Sequence, residues 1–404
     1  MRSHEPQSTD ILIIGAGVVG LTIARALALK GLNDIVVLEK ESQAGLHASG
    51  RNSGVLHAGI YYHADSLKAK YCRQGASLMK DYCDLNGIPV ARCGKVIVAK
   101  NAGELDTLHQ LFKSAQANGA HVTMIDEKDL ESIEPEARTF EKAIISHDTA
   151  VIDPKVIMQT LYQELKRMGV RIISQCQFIR CEKHRRVVTS KGVITYRYCI
   201  NAAGAHADVV AHAFDVGHEY TLLPFKGVYQ QCRPGSRVSR IAGNIYPVPD
   251  LRNPFLGVHF TKSASGAVYV GPTAIPCFGR ENYSGLKGIR LESLSIMTGS
   301  MRLFLSNPKF RAVAMTEPKK YIPYFLYRDA KQLVQHLAFK DVVQSTKVGI
   351  RAQLVHWPTN ELVMDFLIKK GVDSLHILNA ISPAWTCSMA IAEHITNELS
   401  TMTA

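Results

Sequence analysis

The hexapeptide Gly15-Ala16-Gly17-Val18-Val19-Gly20 combines residue types that suit one task, holding a pyrophosphate against backbone. Gly15 permits a tight turn, Gly17 lets the backbone approach phosphate closely, and Gly20 lets helix and strand pack without a Cβ between them. A helix opening at Val18 turns free N–H groups and a partial positive charge on the phosphates, so Val18 and Val19 join the glycines as cofactor-binding candidates. Glu39, about twenty positions on, can accept hydrogen bonds from a ribose diol and would repel a 2′-phosphate; Lys40 stands next to it. The fingerprint alone does not separate FAD from NAD. Its place near residue 10 and the segment Cys199-Ile-Asn-Ala-Ala-Gly-Ala205 favour FAD. An apolar strand ending in small residues lets the backbone at Ala203 and Gly204 pass close to a buried cofactor.

These residues need elements to hold them. The apolar runs Ile11–Ile14 and Ile35–Leu38 predict strands, and Val18 to Lys30 has helical spacing, with Leu21, Ala24, Leu27 and Ala28 on one face. Together they make a βαβ unit. A glycine-rich loop, 45–59, leads to a helix predicted from Ser66 to Asn86. A strand is expected at Lys95–Ala99, a helix at Glu104–Asn118 and an acidic turn at Asp126–Glu136. Asp153-Pro154 opens a helix through Met168, since Asp caps and Pro fits the first turn. Short strands alternating as an antiparallel ribbon follow from Val170 to Asn201, then strands from Leu222 to Tyr269 broken by Pro224, Pro247, Pro249 and Pro254. Helices are expected at Leu286–Ser306 and Tyr327–Leu337. The strand Leu375–Leu378, the loop at Ile381-Ser-Pro383 and a helix to Ser400 end the chain.

With 404 residues, 46% hydrophobic and 20% charged, the chain has room for two or three domains with sizeable cores. That composition excludes a disulfide-stapled miniprotein and a disordered tail. The net charge of +12 points to acidic substrates, an anionic membrane surface or nucleic acid. Nine cysteines without a CxxC pair suggest reduced thiols in a cytosolic protein, and no metal site is expected. Met1–Asp10 lacks an apolar or Arg-rich leader, and no run reaches the roughly 20 apolar residues a membrane span needs. A cytoplasmic protein is expected, with any membrane contact peripheral, on the cytoplasmic face of the inner membrane. The return to a strand–loop–helix ending implies a discontinuous nucleotide domain, 8–88, 151–222 and 340–404. A substrate domain would be made of 89–150 and 223–339.

The string His47-Ala-Ser-Gly50-Arg51-Asn52-Ser53-Gly54-Val55-Leu56-His57-Ala58-Gly59-Ile60-Tyr61-Tyr62 resembles the signature loop of L-2-hydroxyglutarate dehydrogenases and oxidases. These are D-amino-acid-oxidase-like flavoproteins of the glutathione-reductase type. Ser66–Lys70, Tyr246–Pro249, Gly257–Thr261, Gly271-Pro272, Gly349–Gln353 and Asn379–Ala384 extend the likeness over nearly the whole chain. It implies an α/β fold: a Rossmann-like FAD-binding domain with an inserted α+β substrate domain on a mixed or antiparallel sheet. It also implies oxidation of L-2-hydroxyglutarate to 2-oxoglutarate by hydride transfer from C2 to flavin N5. His47-Ala-Ser-Gly is similar to the loop by which some relatives tether FAD covalently. Because this family usually shows the histidine without the link, non-covalent FAD is expected. The chain departs from the family at Ala58, usually Ser, and at Trp385 and Cys387, usually smaller; a bulky Trp385 beside the flavin bears on substrate shape.

The implied reaction assigns tasks to further residues. As hydride leaves C2, the hydroxyl must lose its proton, and histidine is the default base. His57 in the signature loop is the first candidate and His259 the second. Two substrate carboxylates call for cations, and arginine's planar fork binds carboxylate in bidentate fashion. Arg351 and Lys226 are the candidates, with Tyr61 and Tyr246 as phenolic hydrogen-bonding partners. Arg51, Asn52, Ser53 and Gly54 are assigned to the flavin, Arg51 as a flavin or loop-anchoring residue. Ser382, Pro383 and Ala384 precede a helix whose N–H groups would meet the flavin pyrimidine, where negative charge develops on reduction.

The alternatives are a related FAD-dependent amino-acid or amine oxidase, or a glycerol-3-phosphate dehydrogenase. A basic RNA-binding flavoprotein is disfavoured, because the lysines and arginines are scattered without aromatic interleaving, so no nucleic-acid partner is expected. The expected partners are a dicarboxylic 2-hydroxy acid, a quinone, other carrier or oxygen as electron acceptor, and an anionic membrane surface met peripherally.

Overall fold

A computed structural model describes residues 7–249, 255–285, 287–288 and 290–403. Pro254 and Leu286, which entered the expectations above, lie outside the described residues. The chain forms two compact units. The first holds residues up to Arg51, Pro154–Leu223 and the chain from Ala352; the second holds Asn52–Asp153 and Pro224–Arg351. Residues 52–88, 151–153 and 340–351, expected in the nucleotide domain, therefore belong to the second unit, and Leu223, expected in the substrate domain, to the first. Their strands and helix pack there, in the manner described below.

The first unit is built on a parallel sheet in the order Ser374–Ile377, Gly192–Asn201, Gln7–Ile14, Ile35–Leu38, Arg171–Ile173. In register, Ile14 stands beside Asn201 on one side and Leu38 on the other. The strand Ile35–Leu38 is buried throughout, as a strand covered on both faces should be. Helices Val18–Leu29 and Ala384–Thr403 follow the first and last of these strand–loop transitions, and the Thr22 hydroxyl donates to the Ser388 carbonyl between them. The region 170–201 is only partly the antiparallel ribbon expected. Phe178–Glu182, Arg186–Thr189 and Gly192–Asn201 are antiparallel, but Arg171–Ile173 and Gly192–Asn201 also run parallel to the central strands.

In the second unit the sheet runs Val342–His356, Tyr220–Cys232, Val268–Gly271, His259–Lys262, Asn244–Pro247, Lys95–Val98, Lys142–Ser146, Val122–Asp126. Its alternation separates two tasks, since successive side chains point to opposite faces. Val96, Val98, Ile245, Phe260, Val268 and Val270 share one core with Leu326, Ala330 and Leu333. The intervening Ile97 and Tyr246 belong to a second core with Ala58, Ile60 and Leu108. Asp126–Glu136 is not a turn. Asp126 caps the helix Glu127–Ile133 by accepting from the Asp129 N–H, the competition for backbone donors that favours Asp at helix starts. The late helices are Glu292–Ser306, Pro308–Thr316 and Pro323–Ala330, so the helix expected through Leu337 ends earlier and one was missed. All nine cysteines are free thiols.

Candidate active site

The glycine loop sits where Gln7–Ile14 and Gly192–Asn201 end side by side. Gly15 has φ 109°, and a Cβ there would stand 2.5 Å from the Ala202 carbonyl oxygen; a Cβ on Gly20 would stand 2.0 Å from that of Gly15. Both positions therefore demand glycine. Gly17 caps the helix Val18–Leu29 without a side chain of its own, and the Val18 N–H donates to Ser49 Oγ at 2.9 Å. The other N–H groups of the first turn have no intrahelical acceptor. Glu39 is buried, and its carboxylate accepts from the N–H groups of Ala16 at 3.1 Å and Glu41 at 2.9 Å. Burial raises its pKa, against these bonds and the nearby Lys40 and His47. Lys40 itself pairs with Glu41 at 2.5 Å and lies 2.9 Å from His47 Nε2. At the second strand end, Asn201 Oδ1 accepts from the Ala203 N–H, while its amide meets Ala207 O and His376. Gly204 has φ 56°. A cradle that only glycine fits, a helix N-terminus engaged by a side chain only at Val18 among the described residues, and an acidic residue after the second strand suit a dinucleotide.

The remaining nucleotide-side candidates are placed one by one. Arg51 is exposed and its Nε donates to Leu46 O, which anchors the loop. Asn52 Oδ1 accepts from the Gly54 N–H at 2.8 Å, and Gly54 has φ 80°. Ser53 is partly buried. Ser382 and Pro383 lead directly into Ala384–Thr403, with the Cys387 N–H already bonded to Pro383 O. The Trp385 indole N–H donates to Ser49 O at 2.8 Å, so the ring is tied to the loop that also meets Val18. Cys387 is fully buried.

A second group of side chains converges inside the second unit. The short strand Val55–Leu56 pairs with Ala150–Val151 and delivers His57. The His57 carbonyl accepts from Cys72, and Asn118 donates to the carbonyls of Gly59 and Tyr62, pinning the loop that follows. The strand pairs Asn244 with Lys95 and Ile245 with Phe260, which puts Lys95, Tyr246 and His259 on the same sheet face. The Tyr246 and His259 rings stack with centroids 3.9 Å apart. Lys95 Nζ lies 4.5 Å from the Tyr61 ring centroid and 4.9 Å from that of Tyr246. Arg351 stacks over Phe255 at 5.2 Å.

Electrostatics follow from this geometry. Burial, then the charges of Lys95, His259 and Arg351, push His57 down to about 3. Burial lowers His259 to about 4, opposed by its bond to Gly257 O and assisted by Lys95 and Arg351. Because a carbonyl only accepts, His259 Nδ1 carries the proton at 2.8 Å from that oxygen, and Nε2 is left as a lone-pair acceptor. Burial holds Lys95 at about 7 and lowers Arg351. The Tyr61 hydroxyl is buried and makes no hydrogen bond among the described residues; burial raises its pKa well above the usual value. Two cations thus act on two neutral imidazoles, and among the described residues no carboxylate is among the charges felt by either histidine. Such a site can accept an anion and a proton from it.

Of the residues expected here, His57, His259, Tyr61, Tyr246 and Arg351 are brought together. Lys226 is not: its ammonium donates to Asn282 Oδ1 at 2.6 Å, and the Cys277 thiol is its electrostatic neighbour. Lys95 was missed. The available signal was a cation at the head of the apolar run Val96–Ala99, where a strand end normally meets solvent.

Residues 10–398 match the profile of the FAD dependent oxidoreductase family. The mitochondrial L-2-hydroxyglutarate dehydrogenase of Homo sapiens is 34% identical over 98% of this chain and 90% of its own length. That of Nematostella vectensis is 35% identical over 96% and 90%. Among solved structures, the dithionite-reduced L-alpha-glycerophosphate oxidase of Mycoplasma pneumoniae, with FAD bound, has a TM-score of 0.78 at 22% identity, covering 98% of this chain and 95% of its own. Glycine oxidase of Bacillus cereus has a TM-score of 0.70 at 15% identity, covering 98% and 95%. At those identities the structural likeness establishes the fold.

Proposed function

The chain belongs to the family of FAD-dependent oxidoreductases, and from that membership we propose that it oxidises L-2-hydroxyglutarate to 2-oxoglutarate with non-covalently held FAD. The observation that carries the substrate class is the convergence of Lys95 and Arg351 on His57 and His259, with no carboxylate of the described residues among those histidines' charged neighbours. A site so charged favours a dianion over a neutral amine or a zwitterion. FAD, when bound, accepts the hydride that leaves C2. His57 takes the hydroxyl proton as the C2–O bond becomes a carbonyl. A free-enzyme pKa of about 3 makes it a weak base, but two of the causes are the cations that the substrate's carboxylates would neutralise. Substrate binding thereby raises the basicity of the group that must accept the proton. Arg351 supplies a planar fork for one carboxylate, and the buried Tyr61 hydroxyl lacks only a partner such as the substrate provides.

Glycerophosphate and amino-acid oxidases share the fold, but the relatives at 34% identity over nearly the full chain are hydroxy-acid dehydrogenases. The test is anaerobic mixing of the yellow protein with substrate while the flavin band is followed. L-2-hydroxyglutarate should bleach it; D-2-hydroxyglutarate, glycerol-3-phosphate and glycine should not. Bleaching by glycine or glycerol-3-phosphate in place of the L-hydroxy acid would overturn the reading.

The same reading includes peripheral contact with an anionic membrane and delivery of electrons to a quinone there. No described helix is long and apolar enough to cross a membrane. Support for surface contact comes from Glu292–Ser306, where Leu294, Met297, Met301 and Leu305 are exposed at helical spacing opposite the buried Ile296 and Leu303. Residues 290–331 carry eight Lys and Arg against three Asp and Glu, which complements anionic headgroups. Protein that stays in the supernatant with anionic vesicles at low salt would refute this part.

A further inference from the structure

We infer that Lys95 receives the second carboxylate of the substrate and thereby selects dicarboxylic over monocarboxylic 2-hydroxy acids. The inference rests on the functional reading above. Lys95 is 2% exposed, and among the described residues no hydrogen bond or ion pair engages its ammonium. What surrounds it is aromatic or neutral: the faces of Tyr61 and Tyr246, the Cys72 thiol, and two imidazoles on which it acts together with Arg351. A buried ammonium without an anion is costly, and aromatic faces recover only part of what water gave it. The arrangement makes physical sense if the anion arrives with the ligand. Arg351 accounts for one carboxylate, and Lys226 is already committed to Asn282. Among the described residues, Lys95 is the remaining cation that shares both histidines as neighbours.

A pH signature follows. Only the protonated amine holds a carboxylate, and burial keeps Lys95 at about 7 in the free protein. Dicarboxylate affinity is therefore full below that pH and falls as pH rises through it, whereas a monocarboxylate that engages Arg351 alone shows no such fall. Among the described residues, the Cys72 thiol also faces this ammonium; the remaining charged and titratable groups there lie outside that interval. His57 and His259 lie at about 3 and 4, Tyr61 and Tyr246 are raised, and the guanidinium of Arg351 stays charged.

The experiment uses the FAD-loaded protein, its Lys95→Met and Lys95→Arg variants, and three ligands. Glutarate, which cannot be oxidised, is titrated by its perturbation of the flavin spectrum; L-2-hydroxyglutarate and L-2-hydroxybutyrate are followed by flavin reduction. Lys95→Met should weaken glutarate binding and raise KM for L-2-hydroxyglutarate by roughly 100-fold, as loss of one partner of a buried charge pair does. It should change L-2-hydroxybutyrate by less than about threefold, the range of a substitution outside the contact. Lys95→Arg should restore glutarate binding and abolish its decline between about pH 6 and 9, because arginine does not deprotonate there. Wild-type glutarate affinity in Lys95→Met, or equal losses for both hydroxy acids, would overturn the role. If Lys95→Met does not fold, an alkaline decline persisting in Lys95→Arg overturns it instead. Failure of L-2-hydroxyglutarate to reduce the wild-type protein would refute the functional reading, whereas reduction of the wild type beside unaltered glutarate binding in Lys95→Met refutes only this inference.

Discussion

In the first unit, the Glu39 carboxylate accepts two backbone N–H groups, and Asn201 meets Ala203, Ala207 and His376. In the second, the Lys95 ammonium and the Tyr61 hydroxyl are withdrawn from water with no hydrogen bond among the described residues. The contrast separates two kinds of binding. Where the polar groups satisfy one another, the cradle keeps its shape before any ligand comes, which suits a cofactor that stays. Where cations wait without anions among the described residues, the unit is electrostatically incomplete until a substrate arrives, and burial, assisted by those cations, holds its histidines neutral.

Substitutions on the two sides should therefore fail differently. The largest effect is expected from His57→Asn, which keeps the flavin colour but lowers the rate of anaerobic bleaching by about 10²–10⁴-fold, the usual worth of a general base. Next, Arg351→Met should raise KM for L-2-hydroxyglutarate by roughly 100-fold, again with FAD retained, as read from steady-state kinetics and the visible spectrum. Gly15→Ala should reverse the pattern: its Cβ would collide with Ala202 O at a φ of 109°, so the purified protein should lose FAD and melt at a lower temperature. Colour lost on the substrate side, or kept after Gly15→Ala, would break the division. The smallest effect belongs to Ser66→Ala, which removes the cap accepted from Ala69 at the start of Leu67–Leu85. It should cost about 1 kcal/mol of stability in a denaturant titration and leave kcat/KM unchanged.

The two regions also differed in how far residue order revealed them. The nucleotide cradle is legible because its requirements are contiguous: a turn, a close approach and a helix start within Gly15–Gly20, flanked by two apolar runs. The substrate cluster draws on residues 57, 61, 95, 246, 259 and 351, which only strand pairing assembles. His57, Tyr61, His259, Tyr246 and Arg351 were singled out through the family's motifs, and the fold groups them. Lys95 lay outside those motifs, at the head of the strand expected over Lys95–Ala99; it is buried because Asn244–Pro247 pairs beside it and Tyr61 covers it. Lys226 misled for the opposite reason, since its type suited the task but Asn282 claims it. The long strand Val342–His356 escaped notice because its polar residues and Gly349 dilute the period-two signal, and with it went the assignment of residues 340–351.

The alternation along Lys95–Val98 and Asn244–Pro247 has an evolutionary consequence. One set of alternate positions seals a core against helices, while the other set carries the residues we propose for the substrate. On that proposal, exchanging Lys95 for another residue alters recognition from the face opposite Val96, Val98 and Ile245. A sheet divided in this way lets one scaffold drift from substrate to substrate by small steps, each of them still folded.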